Sequence, residues 1–238
     1  IVLYDSALGG LPSDQGMVFG SFPPSQVVPS VIGGATNLNT TGMNLLQAGF
    51  GAISPLTLDN TSGYTLEFSA EVVAESHSGN QVRAGFSVLM VGANPTSSIE
   101  IGFQDGRLFA QNDAPLFGYP PADENSGFNP VCMGFVDYSL AILGSSYTLW
   151  ADSTAVLGGS LRDYTGFGLP PYTLPGTIFL GDNTSSAQAD VNISRVALVA
   201  PVAAVPEPGT QFLLALGIAG IVFYSRCGGT ARLSRRNW

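Results

Sequence analysis

Charge is what this sequence has least of. Only 11% of its 238 residues are Asp, Glu, Lys or Arg, and there is no lysine. It has one histidine, His77, and two cysteines, Cys132 and Cys227. Each shortage excludes something. Two cysteines cannot build a multi-bridge disulfide framework, and one histidine leaves a His-based triad or zinc site short of material. Cys132, within Val131-Cys132-Met133-Gly134-Phe135, reads as a small buried apolar side chain and not as a nucleophile. No P-loop, GxGxxG fingerprint, GxSxG elbow or CxxC pair occurs, so the commonest nucleotide, hydrolase and redox signatures are missing.

What charge there is falls unevenly. Residues 1–200 hold 16 acidic residues against four arginines (Arg83, Arg107, Arg162, Arg195), a net charge of −12. Phosphate contacts need Lys or Arg, so no nucleic-acid partner is expected. The other four arginines, Arg226, Arg232, Arg235 and Arg236, all follow Tyr224. Before them runs an uncharged, proline-free stretch of Phe212, Leu213, Leu214, Ala215, Leu216, Gly217, Ile218, Ala219, Gly220, Ile221, Val222, Phe223 and Tyr224. As a helix rising ~1.5 Å per residue it would be about 20 Å long, short of the ~30 Å hydrocarbon core. Its place after a proline-rich break, and the arginines behind it, favour a membrane helix with its C-terminal side in the cytoplasm. A triplet of Pro206, Glu207 and Pro208 precedes it. The expected division is an extracytoplasmic domain over 1–200 and a tail over 201–238. The tail comprises a linker with the triplet (201–210), a membrane helix (211–225) and a basic cytoplasmic end (226–238). Cys132 and Cys227 would then lie on opposite sides of the membrane and could not pair.

Triplet, apolar helix and arginine cluster, in that order, resemble the PEP-CTERM sorting signal of Gram-negative bacteria. The resemblance implies an exosortase-type membrane enzyme as partner and cleavage near Pro206–Pro208. It also implies an inner-membrane precursor that becomes an envelope or extracellular protein. No cationic stretch followed by an apolar one is visible from Ile1 onward, so the expectation of export rests on the tail.

The remaining 200 residues read as all-β. In Tyr64–Ala74, Tyr64, Leu66, Phe68, Ala70 and Val72 alternate with Thr65, Glu67, Ser69 and Glu71, the period of a half-buried strand. Further strands are expected over 1–4, 44–50, 56–58, 82–91, 99–103, 107–111, 135–143, 147–151, 155–157, 177–180 and 191–199. Asp105-Gly106 between apolar runs is a hairpin signal. Prolines and glycines make loops of 9–29, 112–130 and 158–176. About a dozen short strands with almost no helical period suggest one antiparallel β-sandwich or jelly roll, followed by the single C-terminal membrane helix.

Four segments carry a second resemblance: YTLEFSAEVV (64–73), RAGFSVLMV (83–91), IEIGFQDGRLFAQ (99–111) and TIFLGDNTSSAQADVNISRVALV (177–199). Together they resemble concanavalin A-like (laminin G-like) jelly rolls. That likeness implies a fold whose members often bind glycans or Ca²⁺, and it carries no catalytic signature.

Candidate chemistry is thin. Glu67 and Glu71 share a strand face about 13 Å apart at ~3.3 Å per residue, beyond the ~5–9.5 Å used between paired glycosidase carboxylates. Both read as the wet face of a strand, and His77 as a solvated loop residue. Asp105, Asp182, Asn183 and Asp190 could offer oxygens to Ca²⁺, though turn chemistry accounts for them equally. No cofactor is expected beyond that. Trp150 on a strand and Tyr119, Tyr164 and Tyr172 in loops could form an aromatic platform for sugar rings. The expectation is a non-enzymatic envelope or matrix protein that binds a glycan such as an exopolysaccharide. The alternative is a glycoside hydrolase, or another polysaccharide-acting enzyme, on the same fold.

Overall fold

The structure, a computed structural model, describes residues 1–43, 45–77, 82–131 and 133–200. The Pro-Glu-Pro triplet, the apolar run, the basic flank and Cys132 lie outside the described residues. Residues 1–201 form one compact unit. Among the described residues, no helix is long and apolar enough to cross a membrane.

Fifteen strands are present among the described residues. In chain order they are β1 (Val2–Asp5), β2 (Val18–Phe22), β3 (Ser30–Ile32), β4 (Ala35–Asn39), β5 (Gln47–Ile53), β6 (Tyr64–Ser76), β7 (Phe86–Val91) and β8 (Ser98–Gln104). Then come β9 (Arg107–Ala110), β10 (Asn125–Ser126), β11 (Val136–Leu143), β12 (Ser146–Ala151), β13 (Thr154–Ser160), β14 (Thr177–Asp182) and β15 (Gln188–Val199). They build two antiparallel sheets. One runs β13-β12-β11-β6-β15-β4-β3, with β1 also paired to β15. The other runs β10-β9-β8-β7-β14-β5-β2. The all-β sandwich is as expected.

The long strands fall where the apolar patterns put them. Two strands fall in stretches read as loop, β2 within 9–29 and β10 within 112–130, and β3 and β4 fall in 30–43, where no strand was expected. The prolines and glycines around β2 and β3 hide short edge strands. Conversely, 56–58 and 82–85 are not strands.

The sandwich closes on side chains from both inner faces. Phe68 of β6 stacks on Tyr138 of β11 at 5.0 Å, and Phe103 of β8 meets Tyr138 edge-on at 5.2 Å and Phe86 at 5.0 Å. Each such pair contributes ~0.5–1.5 kcal/mol beyond the area it buries. β6 and β15 form the central ladder of their sheet, running from Ser76 opposite Gln188 to Thr65 opposite Val199. The β8–β9 hairpin turns at Asp105-Gly106, where only Gly106 takes a positive φ, 89°.

Candidate functional site

In the seven-stranded sheet, β7 and β8 are buried on both faces. Phe86, Val88 and Met90 of β7 face the sandwich interior, while Leu89 and Val91 join a second cluster on the outside with Tyr164 and Tyr172. That cluster lies on the loops over 112–121 and 161–176, which fold back across the middle of the sheet.

Beneath them lies a polar network. Glu100, on the outer face of β8, is only 2% exposed. Its carboxylate pairs with the Arg83 guanidinium at 3.3 Å and accepts from the Tyr172 hydroxyl at 2.7 Å and the Asn183 amide at 3.1 Å. Arg83 donates to Asn183 Oδ1 at 2.6 Å and lies 4.4 Å from the centre of the Phe117 ring. Tyr164 donates to the Gln111 carbonyl at 2.6 Å. Burial first, and Glu100 second, hold the Tyr164 and Tyr172 hydroxyls far above their ordinary titration range. Burial alone would lower the Arg83 pKa, but Glu100 and Tyr172 outweigh it and raise it. A buried ion pair stabilises only when its remaining hydrogen-bonding capacity is met. Here Asn183 and Tyr172 meet that of Glu100.

This corrects the aromatic platform. Tyr164 and Tyr172 are 0% and 3% exposed, so no sugar ring can reach their faces. Proline-rich loops usually lie open, but these carry enough aromatic area to close over the sheet. Phe117 and Phe167 complete the packing around Tyr172 at 5.4 and 5.3 Å. Tyr119 is 70% exposed and belongs to no platform with them. Trp150 is half-buried on the opposite sheet, in a separate concavity.

The other candidates are dispersed. Glu67 pairs with Arg195 at 3.1 Å, and Glu71 accepts from Asn192 at 2.9 Å, both on the outer face of the eight-stranded sheet. His77 is not free: its Nδ1 lies 2.9 Å from Glu75 Oε2, and the Glu75 side chain is fully buried. Asp105 bonds to Asn129, Asp182 to Thr40, and Asp190 to Asn37. The possible Ca²⁺ set is therefore not gathered. Among the described residues, no group of three or more His, Cys, Asp or Glu could hold a metal ion.

The loops leave one part of this face open. A cleft of about 550 Å³ lies over β2, β5 and β14, beside Pro170, Pro171 and Leu174. Its floor is set by register. Gly20 and Gly49 are cross-strand neighbours, and Gly51 stands opposite Val18 and Phe179. At Gly49 a Cβ would lie 2.8 Å from the Leu180 carbonyl oxygen and inside the Phe179 ring, so glycine lets that ring lie across the strand. Gly51 faces open space, with nothing nearer to a Cβ than 3.8 Å. Phe22 and Ile53, 63% and 61% exposed, form apolar walls, and Ser21, Gln47 and Asn183 supply polar edges. Asp182 also lines the cleft. Burial raises its pKa to about 8, although it accepts from Thr40 Oγ1 at 2.7 Å and from the Thr184 amide at 3.0 Å.

Comparison with known proteins separates the tail from the sandwich. A family model described as the PEP-CTERM protein-sorting motif matches residues 204–226. The chain carries a PEP-CTERM sorting motif. No curated protein matches it. Among solved structures, similar ones include a conserved carbohydrate esterase from Shiga toxin-encoding bacteriophage phi24B. It is 13% identical with TM-score 0.56, over 84% of this chain and 97% of that one. The cellulose-induced protein Cip1 is 10% identical with TM-score 0.52, over 84% and 96% of the chains. The carbohydrate recognition domain of Emp46p is 10% identical with TM-score 0.52, over 83% and 95%. At these identities the likeness is one of fold, and the fold is the concanavalin A-like sandwich. The PEP-CTERM chain thus joins this sandwich to its sorting motif.

Proposed function

We propose that this is an exported carbohydrate-binding protein that acts without turnover at the envelope or in the extracellular matrix. Its PEP-CTERM tail would insert as a helix over 211–225, be recognised by an exosortase-type enzyme and be cleaved near Pro206–Pro208. The observation that carries the binding reading is the glycine-floored cleft. Its floor is open at Gly20 and Gly51, which carry no side chain, its walls are apolar, and amide and hydroxyl groups stand at the rim. A flat apolar surface edged by a few polar groups suits the two faces of a pyranose ring. Asp182, the carboxyl in its lining, already accepts hydrogen bonds from Thr40 and Thr184.

The test uses the full chain in detergent micelles on arrays and insoluble preparations of neutral polysaccharides. Binding without product formation is expected. Gly51→Leu places a side chain into open space in the cleft and should abolish binding with an unchanged melting temperature. Unchanged binding in that variant would sink the reading. For the tail, mass spectrometry of protein from the native host should find a C-terminus near residue 208. A mature form still ending in Arg235-Arg236-Asn237-Trp238 would refute processing.

One observation favours an enzyme instead. Asp182 borders the cleft and keeps its proton near neutral pH, the state a general acid requires. Release of shorter saccharides that disappears in Asp182→Asn would establish that reading and overturn the first.

A further inference from the structure

The outer face of the eight-stranded sheet carries a concavity of about 600 Å³, lined by Asp137, Ser139, Trp150, Asp152 and Ser153. Along β6, β15 and β4 the charged and amide side chains of this face pair with one another. Glu67 holds Arg195, Asn192 donates to Glu71, and Asn37 donates to both Asp190 and Asn192. Around Trp150 they do not. Among the described residues, no protein group bonds to the Asp137 carboxylate, the Ser139 or Ser153 hydroxyl, or the Trp150 indole N–H. Asp152 uses one oxygen, Oδ1, which accepts from the Asp137 amide at 3.0 Å. The other oxygen is left over.

Strand register brings these groups together. Ser139 stands directly opposite Trp150, and the Asp152 amide donates to the Asp137 carbonyl at 2.9 Å two residues further along the ladder. A half-buried indole is thus ringed by unused donors and acceptors. An aromatic plate receives the C–H face of a pyranose while carboxylate and hydroxyl groups bond to its rim.

The charge on the lining selects among sugars. It holds two carboxylates and no cation, within a domain of net charge −12. A uronate or sulfated sugar would meet like charge. An ammonium would meet opposite charge from Asp137 and Asp152, and attraction from the indole face. The geometry points to a second binding site, separate from the cleft, for a hexopyranose with a free amino group stacked on Trp150 with its ammonium toward Asp137 and Asp152. This site lies on the other sheet, so it stands or falls independently of the cleft.

The experiment is calorimetric titration of the full chain in detergent micelles with tetrasaccharides of glucosamine, N-acetylglucosamine, glucose and guluronate, near pH 6. Glucosamine should bind at least roughly tenfold more tightly than the acetylated and neutral sugars, and guluronate not at all. Trp150→Ala should weaken glucosamine binding by roughly tenfold or more. Asp137→Asn should weaken it by several fold and reduce its salt dependence. Because the Asp137 carboxylate has no protein partner, that variant keeps the test valid if Trp150→Ala fails to fold. Phe22→Ala, in the cleft, should leave glucosamine binding unchanged. Equal affinity for all four sugars, tightest binding to guluronate, or binding that survives both Trp150→Ala and Asp137→Asn would overturn the proposal. Loss of glucosamine binding in Phe22→Ala alone would also overturn it, by moving the sugar to the cleft.

Discussion

On the outer face of β6, Thr65, Glu67, Ser69 and Glu71 stand half-exposed between buried neighbours. On the outer face of β8, Ser98, Glu100, Gly102 and Gln104 are as buried as the residues that face the core. Both are strands of one sandwich, but only the first keeps water on one side. Polar groups on β6 are therefore partly hydrated and paired at the surface, and those on β8 depend on the protein for every hydrogen bond. The same residue type should thus have different worth on the two sheets.

The largest effect should come from breaking the buried side of that comparison. Glu100→Ala removes the partner of Arg83 and strands a buried guanidinium, which costs ~3–5 kcal/mol. Chemical denaturation should show a loss of that size. A loss below about 1 kcal/mol would mean the loops leave the network open to water.

Next comes pH. The Asp182 carboxyl titrates at about 8 in the folded protein, because burial disfavours its charge, and near ~3.9 in an unfolded chain. Between about pH 4 and 8 the unfolded chain therefore releases a proton that the folded chain keeps, so stability falls as pH rises through that window. The melting temperature should drop by at least ~3 °C between pH 5 and pH 8 through this group. Asp182→Asn should flatten that part of the slope. An identical slope in the variant would sink the assignment.

The smallest effect belongs to the wet face. Glu67→Ala breaks a pair with Arg195 whose partners are 39% and 45% exposed, and should change stability by no more than ~1 kcal/mol, shrinking with added salt. A larger, salt-insensitive loss would erase the contrast between the two sheets.

How much could be read in advance follows from the same contrast. The period-two pattern of Tyr64–Val72 announced β6 because one side of it remains in water. In β7 and β8 that pattern is lost, because the loops bury the second side as well. Glu100 was the one visible signal, an acid inside the apolar run Ile99–Phe103. Tyr164 and Tyr172 looked exposed because proline-rich sequence does not disclose what it folds onto. The cleft was hidden for another reason. Gly20 is far in the chain from Gly49 and Gly51, and the three become a floor only through the register of β2 and β5. Trp150 could be singled out by residue type, but not the ring of Asp137, Ser139, Asp152 and Ser153 that pairing of β11 and β12 builds around it.

The end of β15 has a mechanical consequence. The described residues end one position after this strand, which is held along one edge by β6 and along the other by β4 and β1. A pull applied at Val199 along the axis of β15 would run parallel to its ladders and load their hydrogen bonds together in shear. Unzipping them one at a time would require a pull across the strand.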